Sequence, residues 1–167
     1  LPICFGEVLV ENAAGAHSIG GSPFLMAAHL ARLGNHSAFF TRVGMDHDGH
    51  QARQAIESFG IDTSYVQLDA ARSTGRVDVT LSKSGRDVSS YTVAPGGAHG
   101  AIVADAATLD RLSRRHFDVL CMQSLVQTCP ESKRALCAVI DTADIKEIFY
   151  DINLRAEYYN KAVFESS

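Results

Sequence analysis

The chain has 167 residues, 46% of them hydrophobic, and a net charge of −4. That length suits one domain with a real core, burying roughly two-thirds of the surface its unfolded chain exposes. Basic residues are scattered and outnumbered 19 to 15 by acidic ones, which excludes a polyanion-binding field, and no apolar run reaches the ~18 residues of a membrane span.

Residues 3–10, ICFGEVLV, predict one buried strand. SPFLMAAHLARLG predicts a helix with Ser22 as N-cap, Pro23 at the first helical position and Gly34 just past the end. Its Phe24, Ala27, Ala28 and Ala31 share one face, small enough to pack closely on a sheet. HSAFFTRVG reads as a second strand, GHQARQAIESFG as a helix closed by Gly60, and DTSYVQL as a third strand. Between residues 73 and 93 the texture changes. Two β-rich runs are joined by SKSGRD with no helix between them, which predicts an antiparallel insert. The earlier rhythm then resumes: DAATLDRLSRR helical, FDVLCM a strand, PESKRALCAVIDTA helical from Pro130, and KEIFYDIN a strand. Such alternation predicts a parallel sheet with helices on its faces, carrying a small β flap.

Leu1-Pro2 opens no signal-peptide pattern. The four cysteines, Cys4, Cys121, Cys129 and Cys137, form no C-x-x-C pair and read as free, mostly buried thiols of a reducing, cytoplasmic setting. VGMDHDGH, residues 43–50, concentrates the most potential metal ligands. As a calcium loop it puts Gln51 where a glycine is needed. As a zinc site its His47 and His50 lack a second pair. It reads better as a polar turn in which Asp46 or Asp48 caps the following helix, so no metal site is assigned.

The same turn belongs to a longer pattern. Gly20-Gly21 opens a helix and Leu33-Gly34 ends it. Val43-Gly44-x-Asp46-x-x-Gly49 follows a strand, and Gly60-Ile61-Asp62-Thr63-x-x-Val66 closes the next helix. CFGEVLVE, the run from STGRVDV to APGGA, and FYDINLRAEYY complete the order. The whole resembles the amino-terminal half of the ribokinase-like (PfkB) carbohydrate kinases, with a D-x-N-x-R segment similar to that of fructokinase-like and 2-keto-3-deoxygluconate kinase-like members. The resemblance implies a three-layer, Rossmann-like α/β fold with an antiparallel β lid, truncated here. The core would be residues 1–72 and 95–167, and the lid insert residues 73–94. It implies an ATP-dependent kinase of a sugar or sugar acid, with a nucleoside kinase as a close variant. It also implies Mg²⁺ arriving with ATP, no nucleic-acid or membrane partner, and a homodimer through the lid.

Residue roles follow from the resemblance. Glu11, Gly20, Gly21, Leu25 and Arg155 fall at substrate-binding positions, Arg76, Asp78 and Tyr91 on the lid, and Asp151 and Asn153 near the phosphate and Mg²⁺. Two of them depart from the family pattern. Glu11 stands where an aspartate accepts hydrogen bonds from sugar hydroxyls, and Leu25 stands where an asparagine contacts the sugar. The family's G-A-G-D segment, which carries the anion hole and the catalytic base, has no counterpart, because the last glycine is Gly100. No catalytic residue is therefore assigned, and this chain alone is expected to bind no ATP or Mg²⁺ and to be inactive. The alternative is a non-catalytic sugar-binding or assembly module. A Rossmann dinucleotide site is disfavoured, since GEVLVENAAGAHSIGG carries no G-x-G-x-x-G.

Overall fold

The computed structural model describes residues 1–13, 15–81 and 88–153. Five parallel strands form the central sheet in the order β5-β4-β1-β8-β9: β1 (Pro2–Phe5), β4 (Ala38–Gly44), β5 (Val66–Asp69), β8 (His116–Gln123) and β9 (Asp144–Asp151). Helices α1 (Ser22–Arg32) and α2 (His47–Ser58) cover one face, and α3 (Ala106–Ser113) and α4 (Pro130–Thr142) the other. The inner strands are apolar on both sides, as strands between two helical layers must be. Ile3 and Phe5 of β1 pack with Phe40, Leu120 and Leu136, whereas Cys4 packs with Phe24, Ala27, Phe39 and Ile56. Phe5 and Phe40 meet edge-on at 5.2 Å, an arrangement the ring quadrupoles favour.

A second, four-stranded sheet runs β3-β2-β6-β7, from β2 (Leu9–Ala13), β3 (Ala16–Gly20), β6 (Arg76–Leu81) and β7 (Val88–Val93). It is larger than the two-strand insert expected over residues 73–94, and it is mixed. β2 pairs antiparallel with β3 but parallel with β6, while β6 and β7 pair antiparallel. The SKSGRD connection lies outside the described residues. The start of β2 comes from the run read as one buried strand over residues 3–10, and β3 follows it in a stretch for which no strand was expected. The run over residues 3–10 breaks after Phe5, where Gly6 takes φ 149° and the chain turns through Glu7 into the second sheet. Hydrophobicity alone does not show the break, because Val8, Leu9 and Val10 beyond it are buried like Ile3 before it.

Helix starts differ in one detail. The cap of α1 is Gly21, with φ 101°, and Ser22 is its first residue. In α2, Asp46 is the cap, its carboxylate accepting from the Gly49 amide at 2.8 Å. The same carboxylate accepts from the Thr74 hydroxyl at 2.6 Å and the Thr74 amide at 2.9 Å. The polar turn is thus a fastener between α2 and the entry to β6. Among the described residues no group of three or more His, Cys, Asp or Glu is placed to hold a metal ion. All four cysteines are free, with Cys4 and Cys121 buried, Cys129 partly buried and Cys137 exposed. No helix among the described residues is long and apolar enough to cross a membrane.

Burial alone would push the Asp46 carboxyl up, but bonds from Thr74 and Gly49 and the Arg76 charge hold it below its ordinary value of 3.8. A group held low contributes stability that is complete above the unfolded value and lost as pH falls through the folded one. Asp46→Asn is expected to cost about 2 kcal/mol at pH 7. It should also lose less stability than the parent on acidification below about pH 4. Urea melts of both proteins across pH 3 to 7 check both expectations, and parallel curves would refute the second.

Candidate functional site

The carboxyl ends of the central strands, where open α/β sheets bind small molecules, carry most of the chain's unusual polar groups. At one corner the chain leaves β3 through Gly20 and Gly21 into α1. Gly21 holds a left-handed φ, and a Cβ there would lie 2.8 Å from the Glu7 carbonyl oxygen, so only glycine fits. Glu11, on β2 opposite Ser18 and Val77, extends its carboxylate over this turn. Its Oε1 accepts from the Gly21 amide at 3.4 Å, and a Cβ on Gly20 would sit 2.1 Å from that oxygen. The first amides of α1 have no side-chain cap, so the positive end of the helix faces this corner. Glu11 therefore belongs to the second sheet and reaches the core from it.

Gln123 ends β8 and Asp151 ends β9, and Asn153 lies two residues further on with φ 40°, a left-handed conformation that asparagine tolerates. The Asn153 amide nitrogen donates to the Ser22 hydroxyl at 3.2 Å and to Gln123 Oε1 at 3.0 Å. Gln123 Nε2 donates to Asp151 at 2.9 Å, and the other Asp151 oxygen accepts from the Asn153 backbone at 3.0 Å. The sequence readings at Gly20, Gly21, Asp151 and Asn153 thus converge on the start of α1. Leu25 stands one turn into that helix, 44% exposed despite its size. Arg155 lies outside the described residues.

The lid residues divide. Strand alternation puts Glu11, Val77, Val79 and Tyr91 on one face of the second sheet and Val10, Asn12, Arg76 and Asp78 on the other. Arg76 pairs with Asp48 of α2 at 2.7 Å, and Asp78 accepts from Asn12 at 3.1 Å. Tyr91 is thus the one of the three that shares a face with Glu11.

Sequence reasoning missed other residues here. Asp69, 3% exposed, ends β5 and takes an ion pair from Arg42 at 3.0 Å and amide bonds from Ala71 and Arg72. Burial raises its carboxyl, and those amides and arginines more than offset it, holding it below 3.8. His99 is buried at the base of the lid against Gly75 and Gly97, and burial pushes its imidazole down to about 4. Neither had a periodic signal. A polar residue closing an apolar strand, as Asp69 and Gln123 both do, is the feature that marks strand ends at such a site.

A model of the pfkB family carbohydrate kinases matches residues 2–163. The chain belongs to that family. A fructokinase of Klebsiella pneumoniae is 38% identical over 76 residues, 46% of this chain and 25% of that enzyme. A fructokinase of Solanum tuberosum is 26% identical over 156 residues, 93% of this chain and 48% of that enzyme. The chain thus spans at most about half the length of these relatives. Among solved structures, a sugar kinase of Pyrococcus horikoshii in complex with ATP superposes with a TM-score of 0.81 at 21% identity, covering 99% of this chain and 57% of that one. The ribokinase-like pfkB fold, with its parallel sheet and smaller second sheet, is what this chain adopts.

His99 carries a pH signature. Its folded value lies below the unfolded 6.5, so the stability it contributes is complete above pH 6.5 and lost as pH falls toward 4. The loss across that interval is expected to be about 3 kcal/mol. His99→Gln should flatten it, and an unchanged slope between pH 6.5 and 4.5 in chemical denaturation would refute the assignment.

Proposed function

We propose that this chain supplies the substrate half and lid of an ATP-dependent kinase acting on a hydroxyl of a sugar or sugar acid. The observation that carries the reading is the Glu11 corner. There a carboxylate from the second sheet meets the uncapped start of α1 at the carboxyl ends of the strands, beside the Ser22–Asn153–Gln123–Asp151 network. Glu11 accepts from the substrate's hydroxyls, and the Gly20-Gly21 backbone lets those hydroxyls approach. Tyr91 covers them from the lid, with Arg76 and Asp78 fixing the lid from its other face. Arg155 meets a carboxylate or phosphate of the substrate. The family and its relatives' names support sugar phosphorylation.

Mg²⁺ would come with ATP, held chiefly by phosphates and water. Each oxygen of Asp151 already accepts a hydrogen bond, which suits it to meeting a hydrated cation rather than replacing the water. Asp151 and Asn153 lie toward the phosphates. The catalytic base and the nucleotide site lie outside these 167 residues, so this chain alone binds sugar without turning it over. Cytoplasmic location and a dimer through the lid go with this reading.

A second reading, a binding or assembly module without catalysis, draws on Leu25. That side chain offers no hydrogen bond, and a site that lacks a donor or acceptor loses the ligand that needs it. The two readings part in calorimetry of the chain with fructose, gluconate and adenosine. The kinase reading expects saturable binding of fructose or gluconate, weakened about tenfold by Glu11→Gln and strengthened about tenfold by Leu25→Asn. Binding of adenosine alone would move the assignment to nucleosides. Binding of none, with Leu25→Asn equally silent, would leave the assembly module.

A further inference from the structure

Beneath the exit of the lid, a pocket of about 520 Å³ opens between the loop returning from β7 and the start of α4. One wall is the turn Pro95-Gly96-Gly97, and the opposite wall is Cys129 and the first residues of α4. Glu11, Gly20, Gly21 and Leu25 are not among its described lining residues, so it lies apart from the proposed substrate corner.

Two independent features of its wall call for an occupant. The first is His99, which lines the pocket at 4% exposure; its Nδ1, buried against Gly75 and Gly97, has no hydrogen-bond partner among the described residues. Leaving such an atom unsatisfied costs about 1–3 kcal/mol, which favours any shift of the Gly75–Gly97 packing that opens it to the pocket. Burial keeps the ring neutral at pH 7, so it is able to donate or accept. The second is charge. Arg72 divides itself between Asp69 and Glu131, each at 3.4 Å, while the exposed Arg134 has no carboxylate partner among the described residues. Both arginines line the pocket where α4, 13 residues long and without a side-chain cap, presents its positive end.

We propose that this pocket binds a small organic anion, its oxyanion head against Arg134, Arg72 and the start of α4, and its body beside His99. Such an occupant touches the lid's return loop and the core helix at once. His99 packs against Gly75 and Gly97, where the chain enters and leaves the lid. The bound anion therefore ties the lid to the core from behind.

The test is a titration of the chain, followed in amide ¹H–¹⁵N spectra, with glycerol 3-phosphate, glycerate and uncharged glycerol. Saturating shifts at Gly96, Gly97, His99 and Glu131 with an anion, and none with glycerol, are expected, and the tighter anion identifies the head as phosphate or carboxylate. Arg134→Gln, an exposed substitution that spares the fold, should weaken binding about tenfold, and Glu131→Gln should tighten it. No saturation by either anion below about 10 mM, or equal affinity in Arg134→Gln, overturns the site. Hydrogen exchange in β7 should slow when the pocket is filled; binding with unchanged exchange overturns the tie to the lid.

Discussion

The Asp46 carboxylate joins the start of α2 to Thr74, far along the chain at the entry to β6. It caps α2, receives both the amide and the hydroxyl of Thr74, and stands two residues before Asp48, which holds Arg76. Thr74 in turn takes the Gly44 amide at the end of β4 on its own hydroxyl. A charged acceptor with several short bonds is far stronger than the same count of neutral contacts. Strand end, helix start and lid entry are therefore fixed relative to one another before any ligand is considered. The second sheet meets α2 through β2 and β3, and these bonds fix how it sits there.

The chain passes between the two sheets at four places: Gly6-Glu7, Gly20-Gly21, the stretch from Asp69 to Thr74, and the stretch from Ala94 to His99. Each passage contains glycines or buried polar groups, and the last three contribute to a pocket or to the candidate substrate corner. The reason is physical. A strand leaving a sheet abandons its ladder, and its amides and carbonyls must be met by side chains, by a helix end or by a ligand. The Gly21 amide is met by Glu11, and the amides of Ala71 and Arg72 by Asp69. Crossing points are where unspent hydrogen-bonding capacity collects, which is why both candidate sites lie beside them.

Much of the architecture was legible in the sequence because helix and strand periods are local. The helices were found to within a few residues, and Gly20-Gly21 and the Asp46 turn were recognised as ordered signals. What escaped was set by tertiary context. Residues 3–10 look like one strand since both halves are equally apolar, yet they serve two sheets. Ser22 looked like the cap of α1, but the left-handed Gly21 took that place and freed the Ser22 hydroxyl to accept from Asn153. The division of the lid into a Tyr91 face and an Arg76 face follows from pairing registers that no single segment contains. His99 and Arg134 carry no motif and become meaningful only when the return loop meets α4.

The outermost strand bears on how precise the site is. β9 pairs along its whole length with β8, but its other edge has no partner among the described residues, and Ile148 and Phe149 are about half exposed on its opposite faces. Asp151 and Asn153, which bond toward Ser22 at the candidate substrate corner, sit at the end of this thinly covered strand. Glu11, by contrast, is set by a strand hydrogen-bonded on both sides. A site half built on a buried strand and half on an exposed edge holds its two halves with unequal precision, since local opening is easiest where apolar contacts are fewest. Cover over Ile148 and Phe149 would act on the candidate corner through Asn153, without touching a ligand, by fixing where that side chain stands relative to Ser22 of α1.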